Sequence, residues 1–165
     1  MSVSPEARRI FSRGMPRASA AIIAQVAVIA AFFPIVAGVS GSAATQTLTV
    51  TVRGLALGEI SPKEGLKALG RELLLGLVNG ISIGVIVALI ALAWKGTPLL
   101  GLVVGASTLL NMICAALAGV VVPMAMHKLK FDPALASPIL VTTITDSTGY
   151  FAYLGLATLL IAFLV

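Results

Sequence analysis

Charged residues in this chain are confined to narrow bands. None falls between Arg17 and Arg53, between Glu72 and Lys95, or between Lys95 and Lys128. A straight transmembrane helix needs roughly 20 consecutive, mostly apolar residues, and each of these intervals is at least that long. Soluble domains carry charge on about 25% of their residues. Here 10% are charged and 59% are hydrophobic, with a mean hydropathy of +1.10. A bilayer supplies no water to satisfy backbone groups, so only helices and closed barrels span it. Apolar runs of this length select helices. The expected fold is all-α: a polytopic membrane protein of four hydrophobic helical units in contact with the lipid bilayer.

The first unit runs over residues 18–52. At ~1.5 Å per residue it would reach ~50 Å, against a hydrocarbon core of ~30 Å. Pro34, Gly38, Ser40 and Gly41 interrupt it midway, and proline within a helix removes a hydrogen bond and bends the axis. A long, broken or strongly kinked helix is expected. Irregular backbone at membrane depth survives only when buried in protein or lining a wet cavity. Residues 40–47 are therefore either pore-lining or a small-residue packing stretch. Between Arg53 and Glu72, Ser61 reads as an N-cap with Pro62 at the first helical position. Lys63 and Lys67 share a face, so a short amphipathic interfacial helix is expected there.

The second span, residues 73–94, carries Gly76, Gly80 and Gly84 at fourfold spacing, a smooth stripe for close helix packing. The third, residues 99–126, repeats that device with Gly101 and Gly105. Asn111 lies near its middle, either bonding a neighbouring helix or facing a pore. Asp132 and Pro133 cap the last helix, whose core is residues 138–165. Residues 1–17 hold Arg8, Arg9, Arg13 and Arg17 and read as a basic juxtamembrane tail; residues 18–165 form the membrane domain.

Asp146 is the one acid deep inside an apolar stretch, and nothing charged follows it. A carboxylate at that depth costs about 2.5 kcal/mol or more and marks an ion or proton pathway by default. The competing reading is a polar residue that glues helices together. Thr142 and Thr143 lie four and three residues earlier, hence on the same helical face. This face should point inward. The donors on offer are carboxylate, hydroxyl, amide and carbonyl oxygens, which suit Mg²⁺, Ca²⁺ or Mn²⁺ rather than Cu(I) or Zn²⁺. One acid cannot neutralise a divalent ion, whereas a twofold homodimer would bring two copies of Asp146 to one axis. The net charge of +5 sits at span ends and faces lipid headgroups, so nucleic acid is not an expected partner. Cys114 and His127 are each alone, and no nucleophile–base pair or cofactor motif suggests an enzyme.

These residues carry a specific resemblance. Residues 33–38 (FPIVAG), 43–47 (AATQT) and 52–60 (VRGLALGEI), followed by 132–134 (DPA) and 141–146 (VTTITD), resemble the transmembrane domain of the MgtE magnesium transporter family. The resemblance covers nearly everything from Ala24 to Val165. It implies a multi-pass protein of the bacterial inner membrane, a homodimeric channel that passes Mg²⁺ passively. It also implies that Asp146 binds the hydrated ion, with Ser42, Thr45 and Thr142 lining the pore. Three departures stand out. The family's glycine-glycine-asparagine run reads Ser40-Gly41-Ser42 here, so a hydroxyl replaces a carboxamide. Family members carry large soluble magnesium-sensing domains ahead of the membrane domain, which residues 1–17 cannot replace. The family has five transmembrane helices, and the four units match the last four.

With four crossings, Arg8, Arg9, Arg13, Arg17 and Lys95 share one side, while Arg53, Lys63, Lys67, Arg71, Lys128 and Lys130 share the other. Five against six gives the positive-inside rule almost no purchase on orientation. Two alternative functions remain open from sequence. One is a small proton-coupled exporter that uses Asp146 for proton exchange. The other is an accessory or degenerate subunit that needs a longer partner.

Overall fold

A computed structural model of the chain describes residues 17–60 and 65–162. Among them are four long helices: α1 (Arg17–Ala56), α2 (Gly65–Lys95), α3 (Pro98–Lys128) and α4 (Pro133–Ala162). The chain divides into two compact units, residues 1–32 and 33–165, and the candidate site belongs to the second. Ala30–Ala56 of α1, together with α2 and α3, are long and apolar enough to cross a membrane. At 30 residues, α4 has the length. Its run from Thr142 to Thr148 holds four threonines, a serine and Asp146.

Of the two expected forms, broken or kinked, α1 is not the broken one: it is a single long helix with Pro34 inside it. The helix is continuous through Pro34 and through residues 40–47. Proline removes only one backbone donor, and a membrane helix tolerates that loss because the alternative, an open loop in lipid, costs more. Local side chains also hold to the helix. Ser40, Ser42, Thr45, Thr49 and Thr51 each donate a hydroxyl proton to the carbonyl four residues back, at 2.8–2.9 Å.

The expected interfacial helix is not a separate element either. Lys67, Arg71 and Glu72 sit in the first two turns of α2 and run straight into the second span, since no proline or turn separates them. The proposed cap at Ser61, with Pro62, Lys63 and Glu64, lies outside the described residues, as do residues 1–16 of the basic tail. Glu72 ties the start of α2 to α1, its Oε2 accepting from Thr47 Oγ1 at 3.0 Å.

α3 is the central helix, packed on both α2 and α4 and the most buried of the four. The glycine stripes meet there. A Cβ on Gly84 would lie 2.8 Å from the Gly105 carbonyl oxygen, and one on Gly105 would lie 2.9 Å from that of Gly84. Only glycine permits this approach. α1 rests on α3 at Gly119, where a Cβ would meet Thr47 Cβ at 2.8 Å and the Ala44 carbonyl at 3.0 Å. The outer face of α2, including Leu74, Val78, Ile81, Val85 and Leu89, is exposed, as a lipid-facing helix requires. Gly96 turns the chain between α2 and α3 with φ 67°. Pro98 then starts α3. Asp132 caps α4 as expected, its Oδ1 accepting from the Ala134 N–H at 2.9 Å.

Candidate functional site

The side of α4 that packs inward recurs every four residues. Ser137, Val141, Thr145, Gly149, Tyr153 and Ala157 are all buried. At ~100° per residue, this stripe fixes the rotation of the helix and turns Thr142, Thr143, Asp146 and Ser147 to the exposed face. The same logic sorts α1. Val36, Ser40, Ala44, Leu48, Thr51 and Leu55 are buried, while Ser42, Thr45, Gln46 and Thr49 are exposed. Those four, with Val50, line an open groove of about 530 Å³.

α1, apolar enough to cross a membrane over Ala30–Ala56, and α4 thus each expose a polar face on the single chain. Such a face would be costly against lipid. Shared contacts set the two faces at one level. Ala44 and Leu48 of α1 cluster with Val141 of α4 and with Ala115 and Ala118 of α3. Nearer the other end, the Phe33 ring packs edge-on against Tyr150 with centroids 5.1 Å apart. α1 and α4 therefore run antiparallel, and Ser42 and Thr45 lie within the same few turns as Thr142 and Asp146. The chain does not bring all four into one pocket, for the groove is lined by α1 residues alone.

The hydroxyl geometry decides what these faces can bind. Ser42 Oγ donates to the Gly38 carbonyl and Thr45 Oγ1 to that of Gly41, both at 2.9 Å. Thr142 Oγ1 donates to the carbonyl of Pro138 at 2.9 Å or of Ile139 at 3.1 Å, and Thr143 Oγ1 to that of Ile139 at 2.7 Å. A hydroxyl has one proton and two lone pairs. With the proton committed to the helix, each oxygen offers only acceptor capacity outward. An ionised Asp146 carboxylate is likewise acceptor-only. Water molecules around a cation point their hydrogens away from it, so these oxygens match a hydrated cation, while the Gln46 carboxamide in the groove can both donate and accept.

Several residues read differently in three dimensions. Ser40, within the expected pore-lining stretch, is buried and bonds the Val36 carbonyl. Gln46, inside the stretch 40–47, and Thr49, just beyond it, both line the groove: Gln46 follows Ser42 and Thr49 follows Thr45 by four residues, about one helical turn. Asn111 bonds neighbouring helices: its Nδ2 donates to the Val36 carbonyl at 3.5 Å and its Oδ1 accepts from Thr148 Oγ1 at 3.1 Å. Among the described residues, no three His, Cys, Asp or Glu side chains converge, so one copy supplies Asp146 with no acid cluster.

Comparison with known proteins agrees with the geometry. The family model for MgtE, described as a divalent cation transporter, matches residues 33–156. The chain is 38% identical over 134 residues to the magnesium transporter MgtE of Bacillus subtilis, covering 81% of this chain and 30% of that protein. It is 33% identical over 144 residues to the magnesium transporter MgtE of Enterococcus faecalis, covering 87% and 32%. The Thermus thermophilus magnesium transporter MgtE is 32% identical over 140 residues, covering 85% and 31%. The chain therefore spans about a third of the length of these relatives. Matching them over most of its own length, and folded as membrane-spanning helices, this chain belongs to the MgtE family and corresponds to its transmembrane region.

Proposed function

We propose that this chain forms, as a twofold homodimer, a passive pore for Mg²⁺, with Mn²⁺ and Ca²⁺ as chemically similar competitors. The observation that carries the reading is the pair of exposed polar faces on α1 and α4, on which the hydroxyl protons of Ser42, Thr45 and Thr142 are turned back to the helix and their oxygens outward. A second copy placed against them would remove them from lipid and enclose a polar path. It would also set two Asp146 carboxylates near one axis, enough formal charge to balance a divalent ion. Relatives named as magnesium transporters support the choice of ion.

Mg²⁺ loses its water reluctantly, so the pathway works best on the hydrated ion. Asp146 supplies the attraction, holding the water shell through charge-assisted hydrogen bonds. Ser42, Thr45 and Thr142 accept further hydrogen bonds from that shell. Because their protons are bound to backbone carbonyls, they need no reorientation as the ion passes.

Single-cysteine accessibility tests this arrangement. Cys114 is the one native cysteine and is first replaced by alanine. Ser42→Cys, Thr45→Cys and Thr142→Cys should then react with a charged, membrane-impermeant thiol reagent, and Mg²⁺ should slow the reaction. Val85→Cys and Leu89→Cys, on the lipid-facing side of α2, should stay unreactive. Equal reactivity of the two groups, or no protection by Mg²⁺, would exclude a shared aqueous path.

A further inference from the structure

Asn111 is 1% exposed, and its carboxamide reaches two other helices at once. The Val36 carbonyl on α1 can only accept, so Nδ2 faces it, at 3.5 Å. That leaves Oδ1 for Thr148 on α4, whose hydroxyl lies 3.1 Å away and divides its one proton between Asn111 and the Ile144 and Thr145 carbonyls at 2.8 and 3.2 Å. The same Val36 carbonyl also accepts from Ser40 Oγ at 2.9 Å. Gly149, next in chain to Thr148, leaves the room that this contact needs: a Cβ there would lie 2.5 Å from Asn111 Nδ2. The three helices are clasped at one buried amide.

Such a clasp has a distinct physical task in a membrane. Lipid is as apolar as leucine, so hydrophobic burial does little to fix how far one helix slides along another. The buried stripe of α4 around Thr145 and Gly149 is small and smooth. Directional hydrogen bonds can fix what this packing leaves loose. Asp146 lies two residues from Thr148 on the opposite face of the same turn. A one-residue slip of α4 would move Asp146 by ~1.5 Å and turn it by ~100°, enough to spoil a site that needs sub-ångström placement.

We propose that Asn111 is a positioning residue for the ion pathway, setting the height and rotation of α4, and hence of Asp146, against α1 and α3 through Thr148 and Val36. This rests on the reading of Asp146 as the ion-contacting group. The test is the Mg²⁺ dependence of uptake by reconstituted protein, read separately as half-saturating concentration and maximal rate per folded protein. Asn111→Ala and Thr148→Val should each raise the half-saturating concentration roughly tenfold, the low end of the losses seen when outer-shell partners of metal sites are removed. The double variant should be no worse than the single ones, and Thr148→Ser, which keeps the hydroxyl, should behave as wild type. In an Asp146→Asn background, Asn111→Ala should add nothing.

Unchanged half-saturation in both single variants, with Asp146→Asn still impaired, overturns the positioning role alone. Additive effects of Asn111→Ala and Thr148→Val overturn it too, since they would then act separately. If Asp146→Asn itself leaves uptake unchanged, it is the ion-site reading that fails. Should Asn111→Ala not fold, the comparison of Thr148→Val with Thr148→Ser decides the matter, because Thr148 is only partly buried.

Discussion

Asp146→Asn should cut Mg²⁺ uptake by reconstituted protein at least tenfold without lowering the yield of folded protein. The size follows from charge. A carboxylate and a divalent ion about 5 Å apart, separated by one water layer, attract by roughly 1.7 kcal/mol at the dielectric constant of water, and by about 7 kcal/mol at an effective constant of 20. The lower figure alone is worth more than a factor of ten. Asparagine keeps the shape and one acceptor oxygen but removes the charge. Asp146 is exposed on the single chain and packs against nothing that the substitution would disturb. Elution volume and melting temperature in detergent should match wild type, which separates a lost site from a lost fold. Undiminished uptake would remove Asp146 from the pathway.

The second large effect concerns the fold. Gly84→Leu should destabilise the protein severely, because the atom in the way is the backbone oxygen of Gly105, 2.8 Å from the new Cβ. A side chain can rotate aside, whereas a helix backbone must move as a body, taking α2 off α3 along the stripe that includes the Gly101–Ala88 contact. Overpacking costs about 1–3 kcal/mol in a dense core and sometimes more, so a fall in melting temperature of roughly 5 °C or more is expected. Gly70→Leu is the matched control. It changes a glycine of the same helix with nothing within 4 Å of its Cβ, and its melting temperature should stay near wild type. Equal behaviour of the two variants would mean that α2 and α3 do not approach as described.

The gaps between charges made the spans legible, because a charge in lipid is expensive wherever it falls. They set the ends of α2 and α3 short, at residues 73–94 and 99–126, while the helices run on through Gly65–Lys95 and Pro98–Lys128. Charges at a span end stop the membrane but do not stop the helix. At Pro34 the sequence leaves two forms open, a break or a kink within one long helix, and the break is not what forms. α1 continues through it, since an unbroken helix is the least costly backbone in a bilayer.

The site divided in the same way. Helical spacing alone puts Thr142, Thr143 and Asp146 on one face, but the expectation that this face points inward is not met within the single chain, where the buried stripe of α4 turns it outward. Asn111 was ambiguous because its partners, Val36 and Thr148, lie 75 and 37 residues away in the chain. Contacts at that separation leave no trace in local periodicity. Ser40 and Ser42 differ by only two residues yet face opposite ways, a distinction that depends on where α1 meets α3.

The proposed function requires that this chain alone pass Mg²⁺ down its gradient. Its most direct test is Mg²⁺ uptake into liposomes holding only the purified protein, with pH held equal on both sides and then with a pH gradient imposed. Uptake is expected at equal pH, following the Mg²⁺ gradient, ceasing when that gradient is abolished, and indifferent to the pH gradient. Uptake that requires the pH gradient, or no uptake from well-folded protein until a longer relative is added, would contradict the proposed function.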